Sequence, residues 1–300
     1  MTVTEFFDKL LHALLHAGEE TLLLLPFLYL TYLFMEFLEH RAGERVENTI
    51  RRAGRVGPLV GGALGILPQC GFSAAAAGLY AGRVITAGTL VAVFLSTSDE
   101  MLPLLIAGRV PLPNALALVA VKALIAALLG FCFDLLFTRR HAHEEHEAHD
   151  HVDELCRREG CHCEGKSIFR AALTHTLQVA LFIFAASFAL GLLIELVGEE
   201  NIAFFVRDLP VLGTLLAALV GMIPNCAASV VLTELYLGGA LSLGSLLAGL
   251  LVGAGVGILV LFRLNRNLRE NLLILGFSYA AAVLVGILAD LVGLGVLIGL

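Results

Sequence analysis

The sequence predicts an all-α polytopic membrane protein made of two inverted repeats, each with three membrane-spanning helices and a re-entrant helical hairpin. Three observations predict it: an apolar composition, a recurrence at one fixed offset, and a loop charge that changes sides between the halves. The chain has 300 residues, of which 58% are hydrophobic and only 15% charged, and its mean hydropathy is +0.89. A soluble domain of this length needs a larger charged surface. The apolar runs continue for about 20 residues without period-two alternation, which suits membrane helices and argues against a β-barrel. The net charge of −7 comes from loops and tails. Arg is scattered over short loops without aromatic interleaving, so nucleic acid is not an expected partner. The six Cys form no disulfide framework, since Cys70, Cys132 and Cys226 lie in apolar segments and Cys156, Cys161 and Cys163 in a polar linker. The N-terminus lacks the basic n-region and small-residue cleavage site of a signal peptide.

Four regions follow in order: an amphipathic N-terminal helix (1–20), membrane repeat one (21–137), a His/Cys/acid-rich linker (138–168) and membrane repeat two (169–300). In the first, Phe7, Leu10, Leu11, Leu14 and Leu15 make an apolar stripe, with Asp8, His12 and His16 on the other face. That spacing suits either a metal ion or the polar side of an interfacial helix. Repeat one has a span over 22–38, a basic loop, a broken apolar segment over 57–82, a run over 84–107, a short loop and a span over 115–137. The same order recurs as 171–197, 210–238, 241–262 and a last span from about 271.

The recurrence keeps one register, with each counterpart 156 residues on. Pro68, Cys70 and Ser73 meet Pro224, Cys226 and Ser229, Tyr80 meets Tyr236, and Asp134 meets Asp290. Matches of Pro, Cys, Tyr and Asp in one register mark an internal duplication. Cytoplasmic loops are richer in Lys and Arg. In half one the loop after the first span carries Arg41, Arg45, Arg51, Arg52 and Arg55, and the loop at 108–114 only Arg109. In half two the bias reverses: Arg263, Arg266 and Arg269 follow the third apolar segment. Equivalent loops therefore face opposite sides, each half crosses an odd number of times, and the broken segment is the one expected to turn back. The linker then falls in the cytoplasm and both termini outside, in the inner or plasma membrane.

The broken segments carry the chemistry. Each reads Gly-x-x-Pro-(Gln/Asn)-Cys-x-x-Ser: Gly65 to Ser73 and Gly221 to Ser229. Pro ends a helix and frees carbonyls. Gln69 and Asn225 offer amide groups, and Cys70 and Cys226 thiols that ionise beside a cation. Ser73 and Ser229 follow about one turn later on the same side. A tight turn with Cys as a small hydrophobe would explain one copy, and two copies on opposed hairpins favour a site. Ser98, Asp99 and Glu100 stand in the middle of the 84–107 run, where carboxyls are costly unless paired or hydrated. On a continuous helix Asp99 and Glu100 point about 100° apart, and a local unwinding would let both reach a hairpin. Their counterparts are Gly255 and Val256, and the surrounding glycines read as a place for close helix approach. Lys122 lies mid-span, as a partner for these acids or a coupling group. The other acids near span ends, Glu39, Glu195, Asp134 and Asp290, read as interfacial. The linker holds His141, His143, His146, His149 and His151, then Cys161, His162 and Cys163, a donor set for transition metals and equally a solvated charged linker.

The segments Pro68–Ala77, Phe94–Glu100 and Ile223–Ser229 resemble the ten-helix heavy-metal exporter family, whose members go by the names of arsenic efflux proteins or manganese transporters. The resemblance implies ten helices, which matches six spans plus two hairpins of two helices each. The expected function is a secondary-active transporter, not an enzyme, that exports a heavy-metal ion. A divalent cation such as Mn or Zn is favoured, with arsenite as the alternative substrate. Gln69, Cys70, Ser73, Ser98, Asp99, Glu100, Asn225, Cys226 and Ser229 would bind the ion, Lys122 would couple, and the linker would collect metal. No cofactor is expected beyond the transported ion. The expected partners are the metal, the bilayer and, as one option, a second copy of the chain. A membrane thiol redox enzyme or an ion channel are the readings of another class.

Overall fold

A computed structural model describes residues 3–41, 56–66, 71–97, 101–137, 168–197 and 210–298. The described residues are helical, with no strand among them: α1 Val3–Arg41, α2 Gly57–Leu64, α3 Gly71–Ala81, α4 Ala87–Ser96, α5 Met101–Ala107, α6 Leu112–Phe137, α7 Ile168–Val197, α8 Pro210–Gly221, α9 Cys226–Leu237, α10 Leu243–Val252, α11 Gly257–Leu264, α12 Leu268–Val292 and α13 Leu294–Ile298. Six stretches are long and apolar enough to cross a membrane: Leu10–Leu30, Ala87–Ala107, Leu112–Phe137, Ala172–Ala189, Leu243–Leu264 and Leu268–Val292. The helix starts at 87, 101 and 112 recur at 243, 257 and 268, each 156 residues on.

The third segment of each half is interrupted. α4 ends at Ser96 and α5 begins at Met101, while α10 ends at Val252 and α11 begins at Gly257. The second break turns at Gly255, whose φ of +53° lies in the left-handed region open to glycine. These interrupted segments form the centre: Leu243–Leu264 is 83% buried, against 28% for Leu268–Val292. The outer helices α6, α7 and α12 expose leucines such as Leu124, Leu128, Leu177, Leu181, Leu284 and Leu288. An apolar exterior around a tightly packed interior is what lipid requires and water penalises.

Each broken segment folds beside the interrupted segment of its own half. A Cβ on Gly57 would meet Thr89, one on Gly61 would meet Thr89 and Val93, and one on Gly65 would meet Ser96. So α2 runs alongside α4 to its end, and α3 leads back to the loop that precedes α4. In half two the Thr214 and Ser245 hydroxyls are 2.9 Å apart, and Gly221 packs against Gly249. α9 likewise returns to the loop before α10. The second arms cross between halves, α3 onto α11 and α9 onto α5. Loop contacts pair up too: Arg83 bonds Glu270 at 3.1 Å, and Gly108 packs against Leu237.

The N-terminal region departs from expectation. α1 is one helix of 39 residues with Pro26 inside it, so no boundary separates an interfacial helix from the first span. It packs along α7. Its buried side is Ala13, Ala17, Thr21, Leu28 and Tyr32, and Leu11, Leu14 and Leu15 of the expected stripe are exposed. Small residues win that face because they let α1 and α7 approach closely.

Candidate substrate site at the two helix breaks

The break between α8 and α9 is built by a helix cap. α8 stops at Gly221, and Pro224 cannot donate the N–H that would continue it. Asn225 then takes an extended backbone (φ −148°, ψ 145°) as N-cap of α9. Its Oδ1 accepts the Ala227 N–H at 2.8 Å, as N-cap chemistry predicts. The side chain is 7% exposed, and an amide oxygen keeps a second lone pair beyond the cap. Asn225 and Ser229 line a cavity of about 10 Å³ with Gly221, Ile223, Ala228, Gly249, Gly253 and Gly255. That is roughly the room for one water. Cys226 opens α9, and its side chain lies outside the described residues.

The first tip, Leu67 to Cys70 and therefore Gln69 and Cys70, lies outside the described residues. α3 resumes at Gly71, and Ser73 is buried. A Cβ on Gly257 would lie 2.7 Å from the Ser73 Cβ, so Ser73 of α3 rests on the start of α11, just past the second break. That contact falls at Gly257, one residue past the 252–256 stretch where a close approach was expected, and at Gly253 a Cβ would meet only carbonyl oxygens at 3.6 Å. The break itself was not expected there.

At the first break, Thr97 caps α4 and its hydroxyl donates to the Val93 carbonyl at 2.7 Å. Lys122 is 0% exposed, and its Nζ donates to the Thr97 carbonyl oxygen. The ammonium does not snorkel to an interface. It sits at a helix C-terminus, where free carbonyls and the helix dipole favour a cation. Ser98, Asp99 and Glu100 follow directly and lie outside the described residues, between the buried Thr97 and Met101. In both halves, helix C-termini (α2 and α4, α8 and α10) and helix N-termini (α3 and α5, α9 and α11) flank the breaks. Such places offer carbonyls to cations and N–H groups to anions.

His141, His143, His146, His149, His151, Cys161, His162 and Cys163 also lie outside the described residues. Among the described residues no group of three or more His, Cys, Asp or Glu is placed to hold a metal ion. His12 and His16 are exposed, with ring centroids 6.4 Å apart.

Three features escaped sequence reasoning. Asp134 and Asp290, read as interfacial, each bind the N-terminus of a neighbouring helix. Asp134 accepts the Gly88 N–H and the Thr86 hydroxyl, both at 2.7 Å. Asp290 accepts the Gly244 N–H at 2.7 Å and the Ser242 hydroxyl at 2.6 Å. The pattern of Thr or Ser two residues before a Gly, with an Asp 46 residues further on, was the available signal. The second feature is a polar cluster between loops. Glu270 accepts from Tyr80 at 3.0 Å, from Arg83 and from Asn265 at 3.2 Å. Burial works against the Arg83 charge, but Tyr80 and Glu270 outweigh it and hold the guanidinium charged beyond its ordinary range. In half two, the counterpart Tyr236 lines an open cleft of about 450 Å³ with Arg109. The third is in the linker: Gly160 to Ser167 fits the pattern Gly-x-x-x-x-Gly-Lys-Ser. A phosphate-binding loop of that kind needs a strand before it, and both the motif and the residues that precede it, 138–159, lie outside the described residues.

Fold and site define the class: an all-helical protein with six helices apolar and long enough to span a membrane, whose two central segments are interrupted. Comparison with known protein families, curated proteins and solved structures finds no match to this chain.

Proposed function

We propose that this chain is a secondary-active transporter that exports a heavy-metal ion from the cytoplasm, with a divalent transition cation such as Mn or Zn favoured over arsenite. The observation that carries the reading is the buried Lys122 ammonium on the carbonyl of Thr97, the residue that precedes Ser98, Asp99 and Glu100 in the sequence. A charge buried inside an apolar bundle costs several kcal/mol, which a permeation or coupling role accounts for, and the sequence sets two carboxyls directly after the carbonyl it bonds.

In this reading the two halves are inverted repeats. The hairpins α2–α3 and α8–α9 enter from opposite sides and turn back at their tips. The parallel course of α2 beside α4 and of α8 beside α10 supports this, as do loop contacts that join Arg83 to Glu270 and Gly108 to Leu237. The metal would bind between the tips and the first break, with Gln69, Cys70, Asn225 and Cys226 from the hairpins and Asp99 and Glu100 from the break. Ser73, Ser98 and Ser229 would add oxygen ligands, and the cytoplasmic linker would supply the ion. Access would alternate as one repeat rocks against the other.

The test is reconstitution into liposomes with Mn, Zn, Co, Ni, Cd and arsenite, with and without a pH gradient. Saturable, gradient-dependent flux of at least one ion is expected, with loss of that flux in D99N and C70S at unchanged expression. Full flux in both variants would sink the site, and no flux of any ion would sink the transport reading.

A further inference from the structure

The two loop junctions share a plan and differ in one acid. At the first, the Glu270 carboxylate accepts from the Tyr80 hydroxyl at 3.0 Å, from Arg83 at 3.1 Å and from the Asn265 amide at 3.2 Å. At the offset of 156, Tyr80 answers to Tyr236, Asn265 to Arg109 and Glu270 to the neutral Asn114. The turn that carries the tyrosine is built alike in both places. After α3, Gly82, Arg83 and Val84 donate to the Gly78, Tyr80 and Leu79 carbonyls. After α9, Gly238, Gly239 and Ala240 donate to those of Glu234, Tyr236 and Leu235. Two donors of the first junction thus have counterparts in the second, and one of them has gained a positive charge. The acceptor has no acidic counterpart.

Arg109 and Tyr236 line the same cleft of about 450 Å³, and no Asp or Glu lines it among the described residues. Arg109 is exposed. Among the described residues neither its guanidinium nor the Tyr236 hydroxyl has a hydrogen bond or an ion pair. Its backbone points the same way. Among the described residues only Arg83 and Arg109 take a positive φ without being glycine, at 57° and 62°. Such a conformation disfavours any side chain and persists where function holds it. Arg83 grips a carboxylate, and Arg109 stands beside an open cleft.

The cleft lies where apolar stretches end. Ala87–Ala107 stops just before Arg109, Leu112–Phe137 starts just after it, and α9 ends at Leu237. In a bilayer that is the depth of the headgroups, where Tyr is favoured and Arg pairs with phosphate. Val110, Pro111, Leu237 and Leu241 make the rest of the lining apolar. A guanidinium and a phenol against an apolar wall match a phospholipid, whose phosphate meets the donors and whose glycerol and first methylenes meet the wall.

We propose that this cleft binds the phosphate of an anionic phospholipid through Arg109 and Tyr236, in the role that the Glu270 carboxylate has at the other junction. The lipid then ties the start of α6 to the end of α9, as Glu270 ties the start of α12 to the end of α3. The site is independent of what the chain transports.

The test melts the full chain in nanodiscs of phosphatidylcholine, alone or mixed with phosphatidylglycerol. Phosphatidylglycerol should raise Tm saturably, by roughly 2–4 °C. R109G suits the left-handed backbone, so it should melt no lower than the natural chain in phosphatidylcholine and lose the rise. R109K should keep part of the rise and Y236F should reduce it. R266Q, which removes another exposed Arg, should keep all of it. Inorganic phosphate added to phosphatidylcholine discs should leave Tm unchanged. A full rise in R109G, or an equal loss of the rise in R266Q, would overturn the site. A rise with inorganic phosphate that R109G abolishes would overturn the lipid assignment. A fall of R109G in phosphatidylcholine as large as the expected rise would show that an acid of the chain already holds Arg109, and would overturn the proposal as well.

Discussion

Asp134 accepts the backbone N–H of Gly88 at 2.7 Å through one carboxylate oxygen and the Thr86 hydroxyl through the other. Thr86 is the N-cap of α4 and itself accepts the Thr89 N–H at 3.1 Å. Two orphan N–H groups at the start of a buried helix are thus satisfied, Gly88 by Asp134 of α6 and Thr89 by the cap hydroxyl that Asp134 holds, and a negative charge sits at the positive end of the helix dipole. Asp290 repeats the arrangement on Gly244 and Ser242. D134A should cost about 1–3 kcal/mol, the range for losing a charged acceptor from a helix N-terminus. D290A should cost less, since Asp290 is exposed and Asp134 half-buried. Thermal unfolding of the two variants in one detergent would check the order, and an equal or larger loss in D290A would contradict it.

The same contact fixes the glycines. A Cβ on Gly88 would lie 2.3 Å from the Gly130 carbonyl oxygen, and one on Gly244 would lie 2.1 Å from that of Gly286. Both obstacles are backbone atoms in packed helices, which cannot swing aside as a flexible side chain would. G88A and G244A should each destabilise by about 1–3 kcal/mol through forced separation of the helices. G276A, where a Cβ would meet nothing within 4 Å, is the control and should melt close to the natural chain.

The apolar helices were legible because each span is a continuous apolar run, and the offset of 156 was legible because Pro, Cys, Tyr and Asp kept one register. The caps were hidden because Asp134 and Asp290 stand near helix ends, where an acid also occurs simply to face water. The second break was hidden because Gly253 and Gly255 read equally as small residues for helix contact, and only the φ of Gly255 separates the two meanings. Asn225 was legible as a tip residue, but its capping of Ala227 depends on backbone geometry that composition does not encode. The Tyr80–Glu270 contact joins residues 190 apart, and no local pattern announces a pairing at that range.

Lys122 supplies the sharpest test of the first break. K122M leaves the Thr97 carbonyl without its donor and removes the only positive charge in the middle of α6. A loss of roughly 1–3 kcal/mol is expected from the unsatisfied group. If the Lys122 charge also balances Asp99 or Glu100, K122M paired with D99N or E100Q should recover part of that loss. A double-mutant cycle on Tm would then give a coupling of about 0.5–3 kcal/mol, the range for residues in one network. Strict additivity in both pairs would show that the ammonium serves the helix end alone.

The last prediction concerns the two loop junctions. Arg83 and Glu270 hold α3 to the start of α12, whereas the counterpart Tyr236 and Arg109 border an open cleft. If the repeats rock, the ion pair is a latch on one side only. Both groups are partly exposed, with side chains 34% and 15% accessible, so E270Q should lower stability by no more than about 1 kcal/mol. That same energy shifts a two-state ratio about fivefold. Alkylation of Cys70 by a membrane-impermeant maleimide, added from the side bearing Arg83, should therefore quicken several-fold in E270Q while Tm barely moves. An unchanged labelling rate with a large fall in Tm would make the pair a structural tie instead of a gate.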